Sequence, residues 1–223
     1  MRENKIKKIW QNGKCATLGW LSVSHGMTAE VMARQGFDAL CVDLQHGISE
    51  MSDVLPMLQA ISQTDTVPFV RVAWNDPAPI MKALDLGAYG IIVPLVNNAD
   101  EAARAVSACR YPPDGMRSFG PIRAFQYGGA DYPSKANEEI IVMAMIETKE
   151  GLANLEAICA TPGLDAVYIG PSDLSYALEL APRGDNPDPL HIETCNKILK
   201  TAHDSGIKAV MHCAGSEFAI GAA

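Results

Sequence analysis

The sequence predicts an α/β chain of the (β/α)8 TIM-barrel class, and three observations predict it. Seven short apolar runs recur along the 223 residues, with helix-patterned segments between them. Each run with its following segment takes about 25 to 45 residues, the rhythm of a strand and helix unit in such a barrel. Four of the runs also end in or carry polar residues, and barrel strands present catalytic groups at those ends.

The first run, 16–23, is read as a strand, and Thr28 to Gly36 as a helix that stops on a glycine. The second strand, 39–44, runs into Asp43 and His46, and the third, 69–73, carries Arg71. Asn75-Asp76-Pro77 opens the next helix, and the fourth strand covers 90–96. A helix over 99–110 stops before Tyr111-Pro112-Pro113. The fifth strand, 140–146, is closed by Glu147, and the sixth, 166–169, leads into Gly170-Pro171-Ser172-Asp173. The seventh covers 208–213, after which Gly215 to Ala223 reads as the start of the next helix. One domain over residues 1–223 is therefore expected, C-terminally incomplete and lacking the eighth strand and last helix, with truncation favoured over a gap covered by a neighbouring subunit. The connection between Pro112 and Asn137 is long for a compact domain, and its aromatics and arginines are read as an interface or a substrate lid.

With 48% hydrophobic and 20% charged residues the chain can bury one substantial core. A net charge of -8 with scattered basic residues offers no patch for nucleic acid. Six cysteines without paired spacing are read as reduced thiols, hence a cytoplasmic protein. No secretory leader and no membrane-spanning run is expected.

Alternation in the second strand turns Cys41, Asp43 and Gln45 toward the barrel axis and leaves His46 at the strand end. Asp43 is expected to orient His46 as a general base, against the plainer reading of a histidine capping a loop. Arg71, inside an apolar strand, needs an anion: a core carboxylate such as Asp43 and, compatibly with it, a substrate carboxylate or enolate oxygen. Glu147 and Asp173 each suit a helix cap, but together they supply two hard oxygens for Mg²⁺ or Mn²⁺. The amides near Ser172 and Asp173 are a candidate cradle for a substrate carboxylate. Lys149 lies past strand five and Lys208 at the opposite mouth, so a Schiff-base lysine is not expected, nor is a nucleotide cofactor.

These segments resemble the metal-dependent (class II) pyruvate aldolases of the 2,4-dihydroxyhept-2-ene-1,7-dioate and 2-dehydro-3-deoxyglucarate aldolase family, in the phosphoenolpyruvate/pyruvate barrel superfamily. The resemblance runs from about Leu18 to Cys213 and is carried by 36–47, Val70-Arg71-Val72, 110–117, 145–151 and Gly170-Pro171-Ser172-Asp173-Leu174. It implies that Glu147 and Asp173 bind a divalent metal that chelates pyruvate, that Arg71 stabilises the enolate oxygen, and that His46 and Asp43 handle protons. It further implies that Asp85 of a neighbouring subunit assists the histidine, that Trp20 lines the pocket, and that the chain forms a homo-oligomer, a hexamer. Gln45 stands where the family usually has glutamate, and Met145 where glutamine is common. The expected reaction is reversible retro-aldol cleavage of a 4-hydroxy-2-oxo acid to pyruvate and an aldehyde. The alternatives are oxaloacetate decarboxylation or other enolate chemistry at the same site, and a silent barrel that only binds a keto acid.

Overall fold

The computed structural model describes residues 1–222. Seven strands follow one another in chain order in a parallel sheet: β1 (Leu18–Leu21), β2 (Ala39–Asp43), β3 (Val67–Arg71), β4 (Gly90–Val93), β5 (Ile141–Ile146), β6 (Ala166–Ile169) and β7 (Lys208–Met211). Packing divides the chain into two compact units, one of Met1–Ile92 with Ser107–Ile141, the other of Val93–Val106 with the residues from Val142 onward. No helix among the described residues is long and apolar enough to cross a membrane.

In the first unit α1 (Lys5–Gln11) precedes β1, and α2 (Gly26–Ala33), α3 (Met51–Ile61) and α4 (Pro77–Asp85) alternate with the strands. Every residue of β2 and β3 is buried, as strands covered on both faces must be, which is why they read as unbroken apolar runs. The register sets Asp43 beside Arg71, the last rung between β2 and β3. At the other end Gly90 makes room for an aromatic: a Cβ there would lie 1.9 Å from the Phe69 ring. Asp76 caps α4 by accepting from the Ala78 amide at 3.0 Å, and Pro77 supplies a preset φ at the first helical position.

The strands are trimmed by local chemistry. β1 starts at Leu18 rather than residue 16 because Thr17 is occupied with Asp38, its amide and hydroxyl each donating to Oδ2 at 3.0 Å. β3 begins two residues early, with Pro68 inside it still giving its carbonyl to the Tyr89 amide at 2.8 Å. β4 stops at Val93 because Pro94 has no N–H to give and Leu95 turns to φ 54°.

The chain then passes through α5 (Ala99–Cys109) and returns to the first unit as α6 (Ile122–Gly128) and α7 (Tyr132–Glu139). This corrects the lid reading of the 112–137 connection. Arg117 is buried and donates to Asp85 Oδ1 at 2.9 Å and to the Tyr132 hydroxyl at 3.0 Å, with its guanidinium 4.4 Å above the Tyr111 ring. Arg123 donates to Leu86 O at 2.7 Å and Leu58 O at 3.2 Å, which closes the C-terminal ends of α4 and α3. Both arginines thus serve the end of the sheet where strands begin.

In the second unit β5 leads through α8 (Lys149–Ala153) and α9 (Leu155–Cys159) to β6, then α10 (Pro171–Ala177), α11 (Pro189–Asp204), β7 and α12 (Ser216–Ala222). The long helix α11 packs on α9, β6 and β7. Its N-cap Asp188 accepts from the Leu190 amide at 2.9 Å, with Pro189 just inside the helix.

Candidate active site

Asp43 closes β2 with its carboxylate almost wholly buried, and every acceptor position is used. Oδ1 accepts from Arg71 Nε at 2.8 Å, from the Gln45 amide at 3.0 Å and from the His46 amide at 3.4 Å. Oδ2 accepts from Arg71 Nη2 at 2.6 Å and from the Trp20 indole at 3.1 Å. Burial alone would raise the Asp43 carboxyl, but the hydrogen bonds and charge of Arg71, helped by the Gln45 amide and Trp20, hold it below the usual carboxylate range. The Arg71 guanidinium lies 4.8 Å over the Trp20 ring, so a planar cation is fixed on one edge and one face.

The anion facing Arg71 is Asp43, in a two-point pair, as one of the sequence readings has it. One expectation changes here. Asp43 reaches His46 through the main-chain amide, leaving the exposed imidazole to be placed by the loop backbone instead of by a carboxylate contact. Asp85 ends α4, at the opposite end of the sheet, where it holds Arg117. Within one copy of the chain the topology therefore keeps Asp85 away from His46.

In the second unit Glu147 follows β5 directly and is buried, with Oε1 accepting from the Leu95 amide at 2.9 Å. Its other oxygen fills a niche left by Gly170, where a Cβ would stand 2.1 Å from Oε2. Asp173, exposed in the first turn of α10, comes three residues later, and Ser172 beside it is exposed too. Among the described residues no group of three or more His, Cys, Asp and Glu gathers to hold a metal. Glu147, directly after β5, and Asp173, in the helix that follows β6, carry the hard oxygens that a divalent ion keeping its water ligands would take, and the glycine niche keeps Glu147 in place.

Sequence reasoning missed two features of this end. The first is Gly170, whose missing side chain leaves room for the Glu147 carboxylate; a glycine at the end of a strand is a signal for close approach. The Tyr168 hydroxyl lies 3.0 Å from His212 Nδ1, a pair made by the parallel register of β6 with β7.

A model of the HpcH/HpaI aldolase/citrate lyase family matches residues 17–217. The chain belongs to this family of carbon–carbon lyases. It is 41% identical over 216 residues to the hydroxypyruvate/pyruvate aldolase of Rhizorhabdus wittichii, covering 97% of this chain and 86% of that protein. It is also 41% identical over 189 residues to the 4-hydroxy-2-oxo-heptane-1,7-dioate aldolase of Shigella flexneri, covering 83% of this chain and 71% of that protein. The crystal structure of an HpcH/HpaI aldolase/citrate lyase family protein from Burkholderia cenocepacia matches with a TM-score of 0.85 at 32% identity, over 93% of this chain and 84% of that one.

Proposed function

We propose that this family member cleaves a 4-hydroxy-2-oxo acid reversibly to pyruvate and an aldehyde, with a TIM-barrel fold as the scaffold. The observation that carries the reading is the family match over residues 17–217, supported by relatives named as aldolases. Glu147 and Asp173 are the residues that would hold Mg²⁺ or Mn²⁺. Such an ion supplies Lewis-acid polarisation of the 2-oxo group and neutralises charge that develops there.

The remaining steps belong to side chains. His46, exposed just past β2, takes the proton of the 4-hydroxyl. The C3–C4 bond breaks, its electron pair moves to C3 and into the carbonyl at C2, and C4 leaves as the aldehyde. Arg71, held by Asp43 and Trp20, stabilises the oxygen that becomes negative at C2. Return of a proton to C3 releases pyruvate. Trp20 walls the pocket beside Arg71, and Ser172 contributes to carboxylate binding. Assembly as a hexamer, in which Asp85 of a neighbouring copy assists His46, belongs to the same reading, and light scattering on the eluting protein tests it.

The test is pyruvate release from a panel of 4-hydroxy-2-oxo acids, coupled to lactate dehydrogenase, with Mn²⁺, after chelation, and with Glu147→Gln. Activity that depends on the metal and on Glu147 supports the reading. Turnover that survives chelation and the substitution refutes the metal mechanism.

A further inference from the structure

Below the first turn of α10 lies a cluster of buried polar groups that takes no part in the chemistry above. Asn186 Nδ2 donates to Ser175 Oγ at 2.9 Å, and Ser175 Oγ donates to the Pro171 carbonyl at 2.7 Å. His191 Nε2 reaches the same carbonyl at 3.1 Å, and Cys195 Sγ lies 3.6 Å from His191 Nδ1. Ser175 and His191 are 0% exposed, Asn186 4% and Cys195 9%.

The proton positions follow from the partners. A carbonyl can only accept, so His191 carries its hydrogen on Nε2. In the neutral ring Nδ1 then accepts, and the Cys195 thiol is the donor. Burial pushes that thiol up to about 11, which keeps it protonated at neutral pH.

The Ser175 bond to Pro171 lies within α10 and moves with it. His191 belongs to another element, α11, the 16-residue helix packed on α9, β6 and β7. Its bond therefore ties the turn that carries Ser172 and Asp173 to the packed body of the unit. Asp173 is itself exposed, so its aim depends on where that turn is held.

We propose that His191 is a positioning residue for the metal end of the site, fixing the Pro171 carbonyl so that Asp173 keeps the geometry a divalent ion requires. This rests on the reading of Asp173 as a metal ligand.

The experiment is calorimetric titration of Mn²⁺ into the full chain, with apoprotein melting measured alongside. Groups hydrogen-bonded directly to a metal ligand typically change metal affinity about 10- to 100-fold, and His191, which acts through the Pro171 carbonyl, belongs at the low end of that range. His191→Leu is expected to raise the Mn²⁺ dissociation constant about 10-fold, and His191→Gln, which keeps an N–H near Nε2, to recover most of it. Asn186→Ala cuts the other tie from outside α10 and carries the same expectation should His191→Leu not fold. Mn²⁺ affinity within twofold of the parent in the folded variants overturns the inference, as does a Gln variant that falls as far as the Leu variant. A parent chain that takes up no Mn²⁺ overturns the metal reading itself, whereas normal uptake with no His191 effect overturns only this proposal.

Discussion

Gly170→Ala should disable the metal end while leaving the fold in place. At φ -93° and ψ 92° the Gly170 backbone is open to alanine, so the substitution acts through the added methyl and not through dihedral strain. That methyl would stand 2.1 Å from Glu147 Oε2, 2.9 Å from Met145 Cε and 3.2 Å from Glu147 Cδ. A carbon and an oxygen need at least 3.0 Å, so the carboxylate must retreat by about 0.9 Å or the β6 end must yield. Overpacking of this kind costs about 1–3 kcal/mol of stability. Displacement of a ligand by nearly an ångström is expected to weaken metal binding by about 10- to 100-fold. The assay is Mn²⁺ calorimetry with pyruvate release measured on the same protein. Gly90→Ala is the control, since its methyl would strike Phe69 at 1.9 Å in the other unit and should cost stability without touching metal affinity. A folded Gly170→Ala protein that binds Mn²⁺ within twofold of the parent refutes the reasoning.

Asp43→Asn breaks a buried pair and strands Arg71, with an expected loss of about 3–5 kcal/mol in chemical denaturation at pH 7. Because the folded Asp43 carboxyl titrates below its unfolded value of about 3.9, its contribution is complete above that pH and is lost as the pH falls through the depressed folded value. The stability gap between parent and variant should therefore hold from pH 7 to about 4.5 and narrow toward pH 3; a gap of constant size would contradict the pairing. Arg117→Met leaves Asp85 without its cation and removes the stack under Tyr111, so a loss of about 3–5 kcal/mol is expected, measured by urea unfolding. Thiol titration of the native protein should label Cys15 first, while Cys41, Cys109, Cys159 and Cys195 react only on unfolding.

What was legible in the sequence is what local pattern controls. The seven strands were readable because strands covered on both faces are continuous apolar runs, and 166–169 matched β6 residue for residue. Strand ends were less legible where a single side chain decided them, as Thr17 with Asp38 and Pro94 with Leu95 do. The candidate site stood out because Asp43, Arg71, Glu147 and Asp173 interrupt or close apolar runs, where a charge has to be explained. The two helices of segment 112–137 were not legible because, at 7 and 8 residues among glycines and prolines, they are too short for a 3.6-residue period to show.

Side-chain aim escaped the sequence for a different reason: it depends on partners far apart in the chain. Arg117 looked like a loop arginine until Asp85, 32 residues earlier, and the faces of Tyr111 and Tyr132 were seen to enclose it. Asp43 is expected to serve His46 and, in one reading, to pair with Arg71, and it also takes the Trp20 indole and two loop amides, which bears on how the site works. A carboxylate spent on His46 alone would tune a base; one that grips Arg71, Trp20 and two loop amides fixes the cation and the strand end together. Substitution of Asp43 should therefore lower stability and turnover together, whereas loss of the exposed His46 ring should lower turnover with little change in melting. That separation distinguishes a preorganised electrostatic frame from a carboxylate and histidine dyad, because a dyad would place both residues in the second class.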